Sequence, residues 1–352
     1  RCVHATPESV REVAARVDAR LTAFVGAESA RWTTFDPDLA VVFDELSRMV
    51  VGGGKRLRPV FTYWGFVGAG GHRDDARAID AGAAFELLHA FALFHDDIMD
   101  GSVTRRGNTT THEALQAEHR SRAWAGDARR FGDGAAILIG DLSFVYADML
   151  LASLGARGWQ MWNELRVELN VGQYLDMLGS AQNERRPEKA MRICRYKSGK
   201  YTIERPLHLG ALLADEETTL IDAYSAYGLP LGDAFQLRDD VLGVFGESSV
   251  TGKPVGDDLR EAKPTPLMAL ALQRANSQQR SVLQRVGNEA LSPSDIADVQ
   301  QAIVDSGALS AMETTISDLR DEAISAIGRA PIDAEVQTRM VELAHFVTDR
   351  KV

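Results

Sequence analysis

The chain is predicted to be all-α, on three observations. Helical periodicity dominates, as in Val10-Ala14-Val17-Leu21-Phe24 and in Leu165-Leu169-Gln173-Leu175-Leu178. No segment alternates apolar and polar residues convincingly with a period of two. The interruptions are rich in glycine and proline and lie far apart, so the stretches between them are long enough for extended helices.

Taken in order, Arg1 to Arg20 alternates charges with single apolar residues and lacks the long apolar centre of a secretory signal, so it reads as a first helix. Breaks are expected at Gly52-Gly53-Gly54, Gly68 to Gly71, Gly101 to Gly107, Gly126 to Gly134, Gly246 to Pro254 and Ser292-Pro293. Pro206 and Pro230 fall inside helical stretches, where each removes a backbone donor and is expected to kink its helix. Bent helices around a central cavity follow from that pattern. There is no repeat of fixed period, no low-complexity tract and no Gly/Ser linker, so residues 1–352 read as one domain.

Composition narrows the function classes. The chain has 352 residues, 45% hydrophobic and 25% charged, which is ordinary for a globular protein with a sizeable core. Its net charge of −11 argues against a nucleic-acid surface, so an anionic ligand must meet local basic clusters. The most apolar run, Ala135 to Ala156, is broken by Asp141 and Asp148, and no membrane span is expected. With only Cys2 and Cys194, neither a disulfide framework nor a thiolate metal site is indicated, and a reducing cytoplasm fits best.

Two acidic clusters conflict with plain stability. His95-Asp96-Asp97-Ile98-Met99-Asp100 closes the apolar helical segment Ala83 to Phe94. Asp96 and Asp100, four apart, share one helix face, while Asp97 points about 100° away. Like charges at that spacing, near a helix C-terminus, oppose both each other and the helix dipole. A cation resolves the conflict, and oxygen-only ligands point to a hard ion such as Mg²⁺, which needs only one or two carboxylates when it also bridges phosphates. The second cluster, Phe235-Gln236-Leu237-Arg238-Asp239-Asp240, closes a helical segment that begins near Thr219. Gly243 stands four positions beyond Asp239, so the carboxylate pair of the first cluster is not repeated there.

Basic residues are grouped as well. Lys55-Arg56-Leu57-Arg58-Pro59 follows three glycines at a point where a helix can begin, with Pro59 suited to its first turn. Arg105-Arg106-Gly107 follows the first acidic cluster, and Lys197-Ser198-Gly199-Lys200 and Thr251-Gly252-Lys253 come later. Arginine suits bidentate diphosphate contacts and lysine a point-charge contact. Singly, each is an ordinary surface group; together with two acidic clusters they can hold one diphosphate through metal ions and a second directly.

These residues resemble the trans-isoprenyl diphosphate synthase family, which includes the farnesyl and geranylgeranyl diphosphate synthases. The match runs in order through Gly53 to Pro59, His89, Asp96 to Asp100, Arg105-Arg106-Gly107, Gly140-Asp141-Leu142, Gly172-Gln173, Lys197-Ser198-Gly199, Phe235-Gln236 with Asp239-Asp240, and Thr251-Gly252-Lys253. The resemblance implies an isoprenoid synthase fold, a bundle of long helices around a deep cavity, usually homodimeric, with the two aspartate-rich segments facing each other across its mouth. It implies that Asp96 and Asp100 hold two Mg²⁺ ions and Asp239 a third, all on the allylic diphosphate. Arg105, Lys197 and Lys253 complete that grip, with Gln173, Asp176, Ser198, Gln236 and Asp240 beside it. Lys55, Arg58, His89 and Arg106 match the positions that bind isopentenyl diphosphate. The implied reaction joins isopentenyl diphosphate to dimethylallyl, geranyl or farnesyl diphosphate and releases diphosphate. Two departures stand out: Gly243 replaces a third Asp, and Ser198 replaces the commoner Thr. A class I terpene cyclase shares the fold but needs no isopentenyl site, so Lys55, Arg58, Arg106 and the second Asp pair argue against it; a non-catalytic partner subunit would have a decayed first motif, and this one is intact.

Product length is read from Phe91, roughly 7.5 Å below Asp96 along the helix, with Leu88 one turn lower and small Ala92 beside it. Farnesyl synthases with an uninserted first motif resemble one another in carrying two adjacent aromatics here. One aromatic followed by Ala92 resembles a class of geranylgeranyl synthases, so a geranylgeranyl product is expected over a farnesyl one.

Overall fold

The computed structural model describes residues 6–105, 107–182, 184, 186–215, 217–246, 255–260, 262–263, 265–287 and 290–349. Helices dominate, as expected. In chain order they are α1 (Glu8–Phe35), α2 (Ala40–Val51), α3 (Leu57–Gly68), α4 (Ala76–Met99), α5 (Thr111–Ser121), α6 (Ala128–Met149), α7 (Ala156–Ala181) and α8 (Pro187–Cys194). A π-helical segment, Arg195–Glu204, leads into α9 (Arg205–Ala214) and α10 (Ile221–Phe245). The chain ends with α11 (Asp257–Arg260), α12 (Pro266–Arg274), α13 (Ser277–Leu283), α14 (Pro293–Asp305), α15 (Ala308–Ile327) and α16 (Ala334–Thr348). Among the described residues the only sheet is a two-residue hairpin, β1 (Thr104–Arg105) antiparallel to β2 (Asn108–Thr109). No helix among these residues is long and apolar enough to cross a membrane.

The chain divides into two compact units, Glu8–Gly158 with Leu209–Glu216, and Trp159–His208 with Glu217–Val352 and Arg1–Pro7. The first is organised around α4. Asp75 starts that helix by accepting from the Arg77 amide, and Phe85, Leu87 and Leu88 are fully buried on it. Burial of each such side chain contributes roughly 1.5–3 kcal/mol. Val17 and Leu21 of α1 and Phe61 and Phe66 of α3 fill the same core, and α3 and α4 approach closely at Gly82, where a Cβ would lie 3.0 Å from Pro59. The second unit packs α10 against α15, with Leu237, Val241 and Val244 meeting Ile303, Met312 and Ile316 in one apolar cluster. Ser292 and Asp295 cap the start of α14 reciprocally, which explains the break read at Ser292-Pro293.

Two local expectations are corrected. Gly132 and Gly134 do not break the chain but lie inside α6; a side chain at Gly132 would collide with the α5 backbone at His112, so this glycine serves helix approach. Asp239 and Asp240 do not close their helix, because Val241, Leu242 and Val244 carry its buried face on to Phe245. Pro206 and Pro230 do lie inside helical stretches as expected, Pro206 just where the π-helical segment passes without a break into α9 and Pro230 within α10.

Candidate active site

The first acidic cluster occupies the last turn of α4, with Asp100 as the C-cap. Asp100 is exposed and Asp96 half-buried, while Asp97 is turned inward and 1% exposed. That divergence is the helical angle between neighbours made physical. Arg105 Nε donates to Asp97 Oδ1 at 2.6 Å, and Arg105 Nη2 lies 3.6 Å from Asp96 Oδ2. Burial raises the Asp97 carboxyl above the usual carboxylate range, and Arg105 only partly offsets it. The hairpin β1–β2 brings Arg105 back over the helix end, with Gly107 at φ 77° in its turn. Sequence reading missed Asp97 as the anchor of Arg105; the signal was its inward angle together with a cation eight residues on.

The basic segment after the triple glycine splits by role. Lys55 is exposed in the loop, and Arg58 is half-buried in the first turn of α3. Arg56 between them is structural: its guanidinium donates to Asp18 Oδ1 at 2.7 Å, Glu86 Oε2 at 2.5 Å and the Val50 carbonyl at 2.8 Å. It does so from a left-handed backbone, φ 48°. His89 is half-buried on α4, and nearer Asp96 on the same helix Phe91 and Ala92 keep partial exposure where Leu88 has none. Arg106 and Lys253, with Thr251 and Gly252, lie outside the described residues.

In the second unit, the Lys197-Ser198-Gly199 motif rides on the π-helical segment, which is held between two helices by backbone contact. A Cβ at Gly172 of α7 would lie 2.5 Å from the Lys197 amide nitrogen, and one at Gly232 of α10 would lie 2.6 Å from the Gly199 carbonyl oxygen. Only glycine permits both approaches, which gives the Gly172-Gln173 motif its reason. Lys197 Nζ donates to Asp176 Oδ2 at 2.5 Å, and Ser198 and Gln173 are half-buried. Behind them Glu168 accepts from Arg205 Nε at 2.8 Å and pairs with Lys200. Burial alone would raise the Glu168 carboxyl, but those two cations outweigh it and lower it.

Gln236, Asp239 and Asp240 follow on α10. Gln236 Nε2 donates to Asp240 Oδ1 at 3.0 Å, and burial, reinforced by Asp258 and Asp239, pushes the Asp240 carboxyl well above the usual range. Asp239 is half-buried. The place of the missing third aspartate is filled: a Cβ at Gly243 would collide with the carboxylate of Asp258 from α11. Among the described residues no three His, Cys, Asp or Glu side chains converge into a closed metal cage. The donors present are carboxylate oxygens on an exposed helix end, which suits a hard, partly hydrated ion shared with a phosphate and not a fully protein-ligated one.

The same unit yields a pH prediction. His208 is 2% exposed, with Ser225 Oγ 3.0 Å from its Nε2 and Arg205 Nη1 3.4 Å from its Nδ1. Burial, then the cations Arg205 and Lys200, push it down to about 3 from 6.5, against the pull of Glu168. The folded chain therefore binds fewer protons than the unfolded one across that window, and stability present above pH 6.5 is lost as the pH falls toward 3. The loss is on the order of a few kcal/mol. Denaturant titrations between those limits should show a shallower acid limb for His208→Asn than for the native chain; equal slopes would mean that His208 does not carry the effect.

The profile of the polyprenyl synthetase family matches residues 41–305. The chain belongs to that family. It is 32% identical over 326 residues to the geranylfarnesyl diphosphate synthase of Aeropyrum pernix, covering 89% of this chain and 96% of that one. It is 29% identical over 307 residues to the octaprenyl diphosphate synthase of Escherichia coli strain K12, covering 86% and 88%. The crystal structure of a geranylgeranyl pyrophosphate synthase from Corynebacterium glutamicum, complexed with isoprenyl diphosphate and magnesium, superposes with a TM-score of 0.90 at 39% identity, covering 95% of this chain and 98% of that one. The all-α isoprenoid synthase fold and the prenyl transferase class expected from the motifs are thereby borne out. The relatives' names span different products, so family membership alone does not carry one over.

Proposed function

We propose that this chain, acting as one synthase domain, condenses isopentenyl diphosphate with an allylic diphosphate, forms geranylgeranyl diphosphate and releases diphosphate. The observation that carries the reading is the intact Asp96/Asp100 face at the open end of α4, with Arg105 tied beside it through Asp97. Asp96 and Asp100 would hold two magnesium ions and Asp239 a third, and these ions when bound would stabilise the departing diphosphate electrostatically. Arg105, Lys197 and Lys253 neutralise the same group, with Gln173, Ser198 and Gln236 as hydrogen-bonding neighbours. Asp176 holds the Lys197 ammonium in a fixed direction, so little reorganisation is needed as charge develops. Lys55, Arg58, His89 and Arg106 bind isopentenyl diphosphate and set its double bond against the allylic carbon. Apolar walls exclude the water that would quench the cation, and a proton then leaves to the released diphosphate. The geranylgeranyl length rests on Phe91 as a single floor aromatic above fully buried Leu88, with Ala92 leaving room beside it. Homodimer formation is supported by the solvent-facing apolar residues Leu138, Val145 and Met149 on α6, which recur along one face as a self-complementary surface needs. A reducing cytoplasm accords with Cys194, a free thiol.

The direct test is incubation of the purified chain with radiolabelled isopentenyl diphosphate and dimethylallyl, geranyl or farnesyl diphosphate in turn, followed by chain-length analysis. Geranylgeranyl diphosphate as the main product supports the reading; cyclic hydrocarbon, or no incorporation with any primer, overturns it. Arg58→Ala separates the two diphosphate sites. Loss of a charge-assisted contact should raise KM for isopentenyl diphosphate about 10- to 100-fold and leave that of the allylic substrate nearly unchanged. The opposite pattern in initial-rate kinetics would mean that the two sites are reversed.

A further inference from the structure

One arginine that the reaction does not use touches the roots of both basic loops. Arg48 lies in the last turn of α2, just before the triple glycine. Its carbonyl oxygen accepts the Gly52 amide at 3.1 Å and ends the helix where the loop bearing Lys55 begins. Its guanidinium reaches the second loop. Arg48 Nη2 donates to Thr111 Oγ1 at 3.0 Å, and Thr111 Oγ1 in turn donates to Glu45 Oε2 at 2.6 Å. Glu45, one turn back on α2, closes the ring by accepting from Arg48 Nε at 3.3 Å and pairing with Nη2. Thr111 opens α5 and is 1% exposed, so its hydroxyl is reserved for these two partners; valine, of nearly the same shape, can serve neither. Thr110 before it, equally buried, donates through Oγ1 to the Ser102 carbonyl at 2.7 Å and through its amide to the Val103 carbonyl at 3.1 Å. Those bonds draw together the two ends of the hairpin that carries Arg105, with Arg106 next in sequence.

We propose that Glu45, Arg48 and Thr111 are positioning residues for isopentenyl diphosphate, a joint that sets the separation of the glycine loop and the hairpin. This rests on the reading of Lys55, Arg58 and Arg106 as the isopentenyl diphosphate site and adds to it residues that touch no substrate. A diphosphate gripped from two loops is bound well when both already stand at the right distance; otherwise part of the contact energy goes into ordering them. Arg48 serves both at once, the glycine loop through its carbonyl and the hairpin through its guanidinium. The allylic grip depends on the joint far less. Arg105 keeps its own tie to α4 through Asp97, and Lys197 is held by Asp176.

The experiment is initial-rate kinetics, each substrate varied in turn, on the native chain, Thr111→Val, Thr111→Ser, Arg48→Lys, Lys55→Ala and the double variant Lys55→Ala with Thr111→Val. Thr111→Val should raise KM for isopentenyl diphosphate about 5- to 20-fold, with kcat and the allylic KM within about twofold of native. Thr111→Ser, which keeps the hydroxyl, should restore the native value. In the Lys55→Ala background the valine should add less than it does in the native chain, because one of the groups being positioned is gone. Should Thr111→Val fail to give a cooperative melt, Arg48→Lys, which keeps the charge but not the planar fork, decides the matter by the same split in KM. If Lys55→Ala raises KM for isopentenyl diphosphate and the folded Thr111 and Arg48 variants leave it native, or weaken both substrates alike, the joint is overturned while the site reading stands. If Lys55→Ala leaves that KM unchanged, the site reading itself fails, and the joint with it.

Discussion

An Asp96→Ala variant is expected to lose turnover on the order of 10³-fold while keeping its helical circular-dichroism signal. The separation of the two effects follows from the end of α4. Asp96 is half-buried beside Arg105, but the bond that anchors Arg105 is the 2.6 Å contact with Asp97, which the substitution leaves in place. Removing Asp96 takes one negative charge from a helix C-terminus that already carries Asp97 and Asp100. Stability should therefore rise by about a few tenths of a kcal/mol. A variant that is slightly more stable and nearly inactive identifies a charge kept for chemistry. Near-native rates in Asp96→Ala, or in the native chain with excess chelator, would sink the assignment of this turn to metal-bound diphosphate.

The largest stability effect is expected at Glu168. Its carboxylate is 7% exposed and is shared by Lys200 and Arg205, themselves largely covered. Glu168→Ala leaves two cations without their counter-ion in a space that water enters poorly, and such a change costs about 3–5 kcal/mol. Glu168→Gln, which keeps a hydrogen-bond acceptor but not the charge, should fall between. Because Lys200 belongs to the π-helical segment, the loss should also loosen Lys197, three residues earlier, and raise KM for the allylic substrate. Thermal or urea unfolding that matches the native chain in Glu168→Ala would show that this network is not what holds the segment.

What could be read beforehand was whatever depends on neighbours in sequence. The face shared by Asp96 and Asp100, the start of α3 near Pro59 and the break at Ser292-Pro293 follow from helical spacing and capping chemistry, and each stands in the structure. What could not be read depends on contacts between distant residues. Gly132 and Gly172 look like breaks or motif letters until α5 and the π-helical segment are laid against them. The π-helical register is not legible in Lys197-Ser198-Gly199; in the structure that segment lies against the backbone at Gly172 and Gly232. Gly243 read as a lost carboxylate, and only the fold shows that Asp258 occupies its space.

The Lys55-to-Arg58 segment carries a lesson about exchangeable charges. Three cations stand within four residues, and as letters they invite recoding from one to another. Arg56 admits no such exchange: three directions of one planar fork are taken by Asp18, Glu86 and a carbonyl, and an ammonium has neither the reach nor the plane to replace it. Glycine would ease the left-handed backbone but abandon two carboxylates, one of them buried. Anyone redesigning this loop for a different anion therefore has Lys55 and Arg58 as adjustable letters, whereas the residue between them is part of the scaffold that keeps the other two in place.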